Sequence, residues 1–129
     1  MNKILVEVSV GELLDKISIL EIKQEKIKDP AKLKFINDEH SILKEQLDKN
    51  VKSDEKLDNL FKSLKEINAK LWVIENDKRQ CEKDKNFTEE FIKISRNIHF
   101  LNDDRAKIKL EINNHTGSKI KEIKEYTNY

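Results

Sequence analysis

In LDNLFKSLKEINAKLWVIENDKRQC, residues 57–81, apolar side chains recur at alternating intervals of three and four residues. The seam positions are Leu57, Leu60, Leu64, Ile67, Leu71, Ile74, Lys78 and Cys81. An average spacing near 3.5 residues keeps one face of an α-helix against a partner helix and is typical of coiled-coil-like packing. The stretch therefore predicts a long amphipathic helix that packs lengthwise against a second one.

Similar stripes lie on both sides of this stretch. The preceding ones are Leu13, Ile17, Leu20 and Ile27, then Leu33, Ile36, His40, Leu43 and Leu47, and the following one is Phe91, Ile94, Ile98, Leu101, Arg105, Ile108 and Ile112. Capping residues begin each helix: Ser9 with Glu12, Asp29 with Pro30, Ser53-Asp54-Glu55, and Asn86 with Glu89 three residues later. We predict helices over about 10–28 and 30–50, a third that begins after Asp54, and a fourth that begins after Asn86 and ends within residues 113–117.

These elements predict an all-α fold, an antiparallel bundle of four main helices with coiled-coil-like seams. We expect one domain over residues 1–129, with an extended segment at 1–8 and a tail or short helix at 118–129. Ile4, Val6 and Val8 alternate along the N-terminal segment, so it should either pack flat on the bundle or pair with a second copy. Ile19 and Ile22, which lie off the main stripe of the first helix, also need a cover. Either the fourth helix or the tail covers this apolar patch or a second copy does, and we favour a homo-oligomer, a two-fold dimer in particular.

Composition argues against several classes of protein. The net charge of +1, from 26 basic and 25 acidic residues, gives no long-range attraction to nucleic acid or anionic lipid. Apolar runs are too short for a signal peptide or a membrane span. A single cysteine, Cys81, allows no internal disulfide, and we expect it to be a buried structural residue. Together these features favour the cytoplasm.

No catalytic signature, metal-ligand motif or cofactor-binding motif is present, so the sequence favours a non-enzymatic role. The pairs Glu12/Asp15, Glu55/Asp58 and Glu122/Glu125 have the one-turn spacing that all-helical magnesium-dependent nucleotide hydrolases use. In a chain with 40% charged residues such pairs arise by chance, and we expect them to face solvent. Their positions at helix starts or in the tail argue against that class of hydrolase.

Arg105 interrupts an apolar stripe, and a buried arginine needs a carboxylate or carbonyl partner. We expect it to be partly or fully buried and bonded to Glu21, Glu75 or Asp103. The wider polar set is Glu21, Trp72, Glu75, Arg79, Arg96, Asn102, Asp103 and Arg105. This set forms a buried ion-pair network, a site where the three arginines hold a small anion against Trp72, or a protein interface. Trp72 is expected to be largely buried against helix 1.

Three stretches carry a family resemblance: VSVGELLDKISILEIK at 8–23, KLWVIENDKR at 70–79 and NDDRAKIK at 102–109. They resemble a family of small helical bacterial and phage proteins that is catalogued only as a domain of unknown function. The similarity spans roughly residues 8–113 and implies an intact small domain. It implies no activity.

The sequence favours a non-enzymatic interaction or scaffold module that self-associates. The alternative is a protein or enzyme that binds a small anion or a sugar nucleotide in an arginine-lined site within the bundle. Nucleic-acid binding is the least favoured class. Whether the arginines converge on an open concavity or are closed off by carboxylates distinguishes the first two hypotheses.

Overall fold

A computed structural model describes residues 3–129 and confirms the all-α fold class, with four helices and no strand in that range. The helices are α1 (Val10–Lys26), α2 (Pro30–Asn50), α3 (Glu55–Asp84) and α4 (Glu89–Thr116). α1 ends at Lys26 rather than near Lys28, because Ile27 already has an extended backbone, with φ −89° and ψ 133°. The chain must straighten there to enter the Asp29-Pro30 start of α2.

α4 begins at Glu89 after Thr88 rather than directly after the predicted cap Asn86, whose Oδ1 accepts hydrogen bonds from Thr88 N (3.3 Å) and Oγ1 (2.6 Å) instead. The capping signals act as predicted at the other three helix starts. The Ser9 hydroxyl accepts a hydrogen bond from Glu12 N (3.0 Å), Asp29 accepts one from Ala31 N (3.0 Å) and Asp54 accepts one from Leu57 N (2.7 Å). Each bond satisfies an N–H group that a helix start leaves without a partner. At the other end of the chain, α4 stops at Gly117, which has the left-handed backbone (φ 67°) that glycine adopts readily.

α1 and α2 run antiparallel, since Gln24 contacts Asn37 (3.0 Å) and Glu21 contacts His40 (3.1 Å). α3 and α4 form a long hairpin, with the Lys78 ammonium 5.8 Å from the Phe91 ring at one end and His115 2.8 Å from Asp54 at the other. α1 lies across this hairpin and contacts both of its helices, whereas the backbone of α2 packs against α1. α1 is therefore the element that holds the bundle together.

The apolar core lies where α1 crosses the hairpin. Its central residues are Leu14, Leu57, Leu64 and Ile112, with Ile17, Leu20, Ile22 and Leu71 also buried. Ile22 lies off the main stripe of α1 but is only 1% exposed. α1 has more than one apolar face, and it is accordingly covered on more than one side, by α2 and by the α3–α4 hairpin.

The two ends of the chain form neither helix nor strand in the part that is described. The described residues of the N-terminal segment, 3–8, are exposed, and neither α4 nor the tail covers them. The tail, residues 118–129, is irregular rather than a short helix and lies against α4. There the Tyr129 ring packs on His99 and Phe100, and its hydroxyl donates a hydrogen bond to Asp103.

The helices of residues 3–129 include none with an apolar stretch sufficient to cross a bilayer.

Candidate functional site

A buried carboxylate, Asp15, lies at the crossing of α1 with the hairpin. Asp15 is 2% exposed, and the Arg105 guanidinium binds it with two parallel hydrogen bonds. Arg105 Nε lies 3.0 Å from Oδ1, and Nη2 lies 2.6 Å from Oδ2. This fork geometry is the strong, directional form of an arginine–carboxylate contact. It ties α1 to α4.

Asn68 and Ser18 complete the hydrogen bonding around this carboxylate. Asn68 Nδ2 donates to Asp15 Oδ1 (2.9 Å) and to Ser18 Oγ (2.8 Å), and Ser18 Oγ donates to the Asp15 carbonyl (2.7 Å). Both side chains are buried. No buried side-chain nitrogen or oxygen of this cluster lacks a hydrogen-bond partner, so burying the cluster avoids the cost of an unsatisfied donor or acceptor.

Lys109 extends the cluster toward the surface. Its Nζ lies 2.7 Å from Glu12 Oε2, 3.4 Å from Glu122 Oε2 and 3.7 Å from Asp15 Oδ2. Arg105 and Lys109 thus face three carboxylates, two from α1 and one from the tail. These carboxylates neutralise the positive charges of Arg105 and Lys109.

The pKa of Asp15 reflects this balance. Burial on its own raises that pKa, but hydrogen bonds from Arg105 and Asn68 and the charges of Arg105 and Lys109 outweigh it. The pKa of Asp15 therefore lies below its usual value of 3.8. The hydrogen bond to Asp15 raises the pKa of Arg105 in turn. A carboxylate held ionised by these partners is a poor proton acceptor, which argues for a structural role.

The predicted carboxylate partner of Arg105 exists, but it is Asp15 rather than Glu21, Glu75 or Asp103. The expectation that the Glu12/Asp15 pair faces solvent was wrong, since Asp15 is buried and Glu12 is half-buried. A signal was available in the sequence. Gly11, Asp15, Ser18 and Ile22 follow one another at intervals of four, three and four, which marks a second inward face of α1.

Gly11 explains why α1 approaches α4 so closely. A Cβ at this position would lie 2.6 Å from the Lys109 carbonyl oxygen, so only glycine fits. Gly11 N donates to Asn113 Oδ1 (2.7 Å), and Val10 N donates to Ser118 Oγ (3.2 Å). The start of α1 is thus capped from α4 and the tail as well as by Ser9.

The other residues of the predicted polar set are dispersed. Glu21 faces α2 and α3, where it contacts His40 (3.1 Å) and Lys65 (3.4 Å). Arg96 is exposed, with its guanidinium 5.6 Å from the centre of the Phe100 ring. Asp103 binds the tail tyrosine. None of these three side chains is bonded to Asp15 or Arg105. Arg96 shares no cleft with Arg105, so the three arginines do not converge on one point.

Five of the predicted residues do meet, in an open cleft of about 360 Å³ between α1, α3 and α4. The cleft is lined by Ile19, Ile22, Asn68, Leu71, Trp72, Glu75, Asn76, Arg79, Asn102 and Arg105. Asn102 Oδ1 accepts a hydrogen bond from Arg105 Nη1 (3.3 Å), which places the edge of the buried cluster at the cleft wall.

Trp72 is less buried than predicted. It is 36% exposed, because it lies on the wall of this open cleft instead of under α1. Glu75 and Arg79, an i, i+4 pair of favourable orientation, form no salt bridge to each other. Both line the same cleft with opposite charges.

Reactive groups are few in the described part of the chain. Cys81 is buried on the α3 seam, and desolvation together with the neighbouring carboxylates of Glu90, Asp84 and Asp77 raises the pKa of its thiol. A thiol held in its protonated form is a weak nucleophile. Across residues 3–129, no three His, Cys, Asp or Glu side chains are grouped as a metal site requires.

Comparison with known proteins places the chain in a family. A family model described as "Family of unknown function (DUF6165)" matches residues 4–129, so the chain belongs to that family. This confirms the resemblance to a domain of unknown function. No curated protein and no solved structure matches the chain.

Proposed function

We propose that this member of a family of unknown function is a non-enzymatic interaction module that self-associates as a dimer. The observation that carries the proposal is the exposure of three consecutive apolar residues. Ile4, Leu5 and Val6 are 88%, 90% and 74% exposed. Single exposed apolar residues are ordinary, but a contiguous exposed run marks an interaction surface.

The backbone of this segment supports the same proposal. Within the described range, residues 3–8 make no backbone–backbone hydrogen bond. An apolar segment with free N–H and C=O groups can pair with another strand, as the edge of a sheet does. The alternation of Ile4, Val6 and Val8 suits a strand with one apolar face.

A second copy of the same segment is the partner whose charges fit. In an antiparallel pair centred on Leu5, Lys3 of each copy lies opposite Glu7 of the other, and Ile4 lies opposite Val6. Directly opposite residues lie on the same face and interact most strongly. The segment is therefore self-complementary in charge and in apolar contacts when two copies run antiparallel.

The polar cluster supports a non-enzymatic role. The Asp15 oxygens accept hydrogen bonds from Arg105 and Asn68, and Arg105 is bonded to Asp15 and Asn102. Groups with so many internal partners hold helices in register rather than react with a substrate. The proposal places the protein in the cytoplasm, where an unpaired cysteine such as Cys81 stays reduced.

The test is the molar mass in solution, measured by light scattering at a series of concentrations. Wild type is expected to approach twice the chain mass at about 100 µM. Leu5→Asp is expected to remain at the monomer mass, because it places two like charges opposite each other at the centre of the pair. Phe35→Asp, which removes a 78% exposed apolar residue on α2, is the matched control and should associate like wild type. A wild type that stays monomeric would contradict the proposal.

A further inference from the structure

The cleft beside Trp72 is separate from the N-terminal segment and has the dimensions of a small-molecule site. Its volume of about 360 Å³ lies within the usual range for such sites. Ile19, Ile22, Leu71 and Trp72 supply an apolar wall. Trp72, the single tryptophan, keeps 36% of its surface exposed there, although an indole has a large apolar area to bury.

The charges at this cleft are balanced. The Arg105 side chain reaches the cleft wall, but its charge is neutralised by the Asp15 carboxylate, which lies 2.6 Å away. Glu75 and Arg79 are exposed, lie one turn apart on α3 and take part in no salt bridge of the described residues. The cleft therefore presents one acidic and one basic group beside an apolar wall.

We infer that this cleft binds a small zwitterion with an apolar side chain, the chemical class of free hydrocarbon α-amino acids. The ligand's ammonium group contacts the Glu75 carboxylate, its carboxylate contacts the Arg79 guanidinium, and its side chain lies against Trp72 and Ile19. Each charged contact is a charge-assisted hydrogen bond, the stronger kind of polar contact.

A simple anion fits this cleft less well. An anion drawn to Arg79 would lie one helical turn from the Glu75 carboxylate, and Arg105 contributes little additional attraction because Asp15 neutralises it. Arg96, the third arginine of the sequence-based anion hypothesis, lies at Phe100 outside the cleft. A zwitterion satisfies both free charges at once.

Trp72 fluorescence provides the measurement, because the single indole lies on the cleft wall. The probes are L-leucine, N-acetyl-L-leucine, which lacks the ammonium charge, and L-leucinamide, which lacks the carboxylate. Leucine is expected to give a saturable change, with the two derivatives about tenfold weaker. Melting temperatures recorded with the same three compounds detect binding that leaves the indole emission unchanged.

Two variants separate the two charged contacts. Arg79→Gln should weaken binding of leucine about tenfold without weakening binding of leucinamide, whereas Glu75→Gln should weaken binding of leucine without weakening binding of N-acetyl-leucine. Arg96→Gln and Glu66→Gln, exposed residues outside the cleft, are the matched controls and should bind like wild type.

Three results would overturn the inference: no saturable response to leucine by either readout at about 20 mM, equal binding of all three compounds, or tighter binding of N-acetyl-leucine than of leucine. None of them bears on self-association, which rests on a different part of the chain.

Discussion

Asp15 on α1 and Arg105 on α4 are 90 residues apart in sequence, and their side chains form a forked ion pair with distances of 3.0 Å and 2.6 Å. The pair is the main polar link between α1 and the α3–α4 hairpin. Asp15 is only 2% exposed, whereas Arg105 reaches the cleft wall. Loss of the ion pair would therefore leave the Asp15 carboxylate buried without a counter-charge, while the Arg105 guanidinium would still reach the cleft.

Arg105→Met should destabilise the fold, because it leaves the buried Asp15 carboxylate without its main partner. Removing one member of a fully buried ion pair lowers the free energy of unfolding by about 3–5 kcal/mol. Because Arg105 is partly exposed, we expect a loss of about 2–4 kcal/mol here. Urea denaturation measures the free energy of unfolding. Arg96→Met, an exposed arginine on the same helix, is the control and should change it by less than about 0.5 kcal/mol.

The double variant Asp15→Asn with Arg105→Met separates the ion pair from the loss of either side chain. Once the carboxylate charge is gone, removing the guanidinium should cost less than it does in wild type. We expect the losses of unfolding free energy in the two single variants, added together, to exceed the loss in the double variant by about 1–3 kcal/mol. Strictly additive losses would mean that the two residues stabilise the bundle independently.

Gly11→Ala should also destabilise the fold, although alanine has a higher helix propensity than glycine. The propensity gain is at most about 1 kcal/mol. The added methyl group would lie 2.6 Å from the Lys109 carbonyl oxygen, so α1 must move away from α4. We expect a net loss of about 1–2 kcal/mol in thermal or urea unfolding. Lys16→Ala, on the exposed face of α1, is the control, and a Gly11→Ala variant more stable than wild type would contradict the close approach.

The stability of the fold should fall in acid through Asp15. Its pKa in the folded protein lies below the usual 3.8, so the ionised carboxylate stabilises the fold fully above about pH 5. That stabilisation is lost as the pH falls through 3.8 toward the folded-state pKa. The difference in unfolding free energy between wild type and Asp15→Asn should therefore be largest near neutral pH and shrink below about pH 4.

Asp104→Asn, an exposed change on α4, is the control for the pH series, and its difference from wild type should stay small throughout. A difference between wild type and Asp15→Asn that persists unchanged to the lowest pH would show that ionisation of Asp15 does not stabilise the fold.

The helices and most of their boundaries could be predicted from the sequence because their signals are local, although the start of α4 was placed too early, after Asn86 instead of Thr88. Stripes at three- and four-residue intervals define the helices, and Ser9, Asp29, Asp54 and Gly117 cap them within a few residues of chain. The end of α1 was placed two residues too late, since the straightening before Pro30 begins at Ile27.

The polar cluster could be predicted only in part, because it depends on which faces of distant helices meet. Arg105 stood out as a charge in an apolar stripe, so its need for a carboxylate was readable. Asp15 was harder to identify as that carboxylate, because an acidic residue near a helix start normally faces solvent. The spacing of Gly11, Asp15 and Ser18 indicates a second inward face of α1, but it does not indicate which helix that face packs against. Its burial follows from the close approach at Gly11, which is a property of the tertiary fold. The exposure of Trp72 could not be predicted either, because it depends on where α1 crosses the α3–α4 hairpin.

Charge reversal in the N-terminal segment tests self-association most directly. Lys3→Glu makes the charged positions of the segment all acidic, and Glu7→Lys makes them all basic. Each variant alone should associate less than wild type, because like charges then face each other twice per dimer, at roughly 0.2–1 kcal/mol for each pair. An equimolar mixture restores opposite charges at both positions.

The measurement is the weight-average mass by sedimentation equilibrium for wild type, each variant and the mixture, at one total concentration. We expect a dimer for wild type, lower masses for the separate variants and recovery of the wild-type mass in the mixture. Variants that associate as wild type does, or a mixture that stays at the mass of its components, would contradict antiparallel pairing of residues 3–7 between two copies.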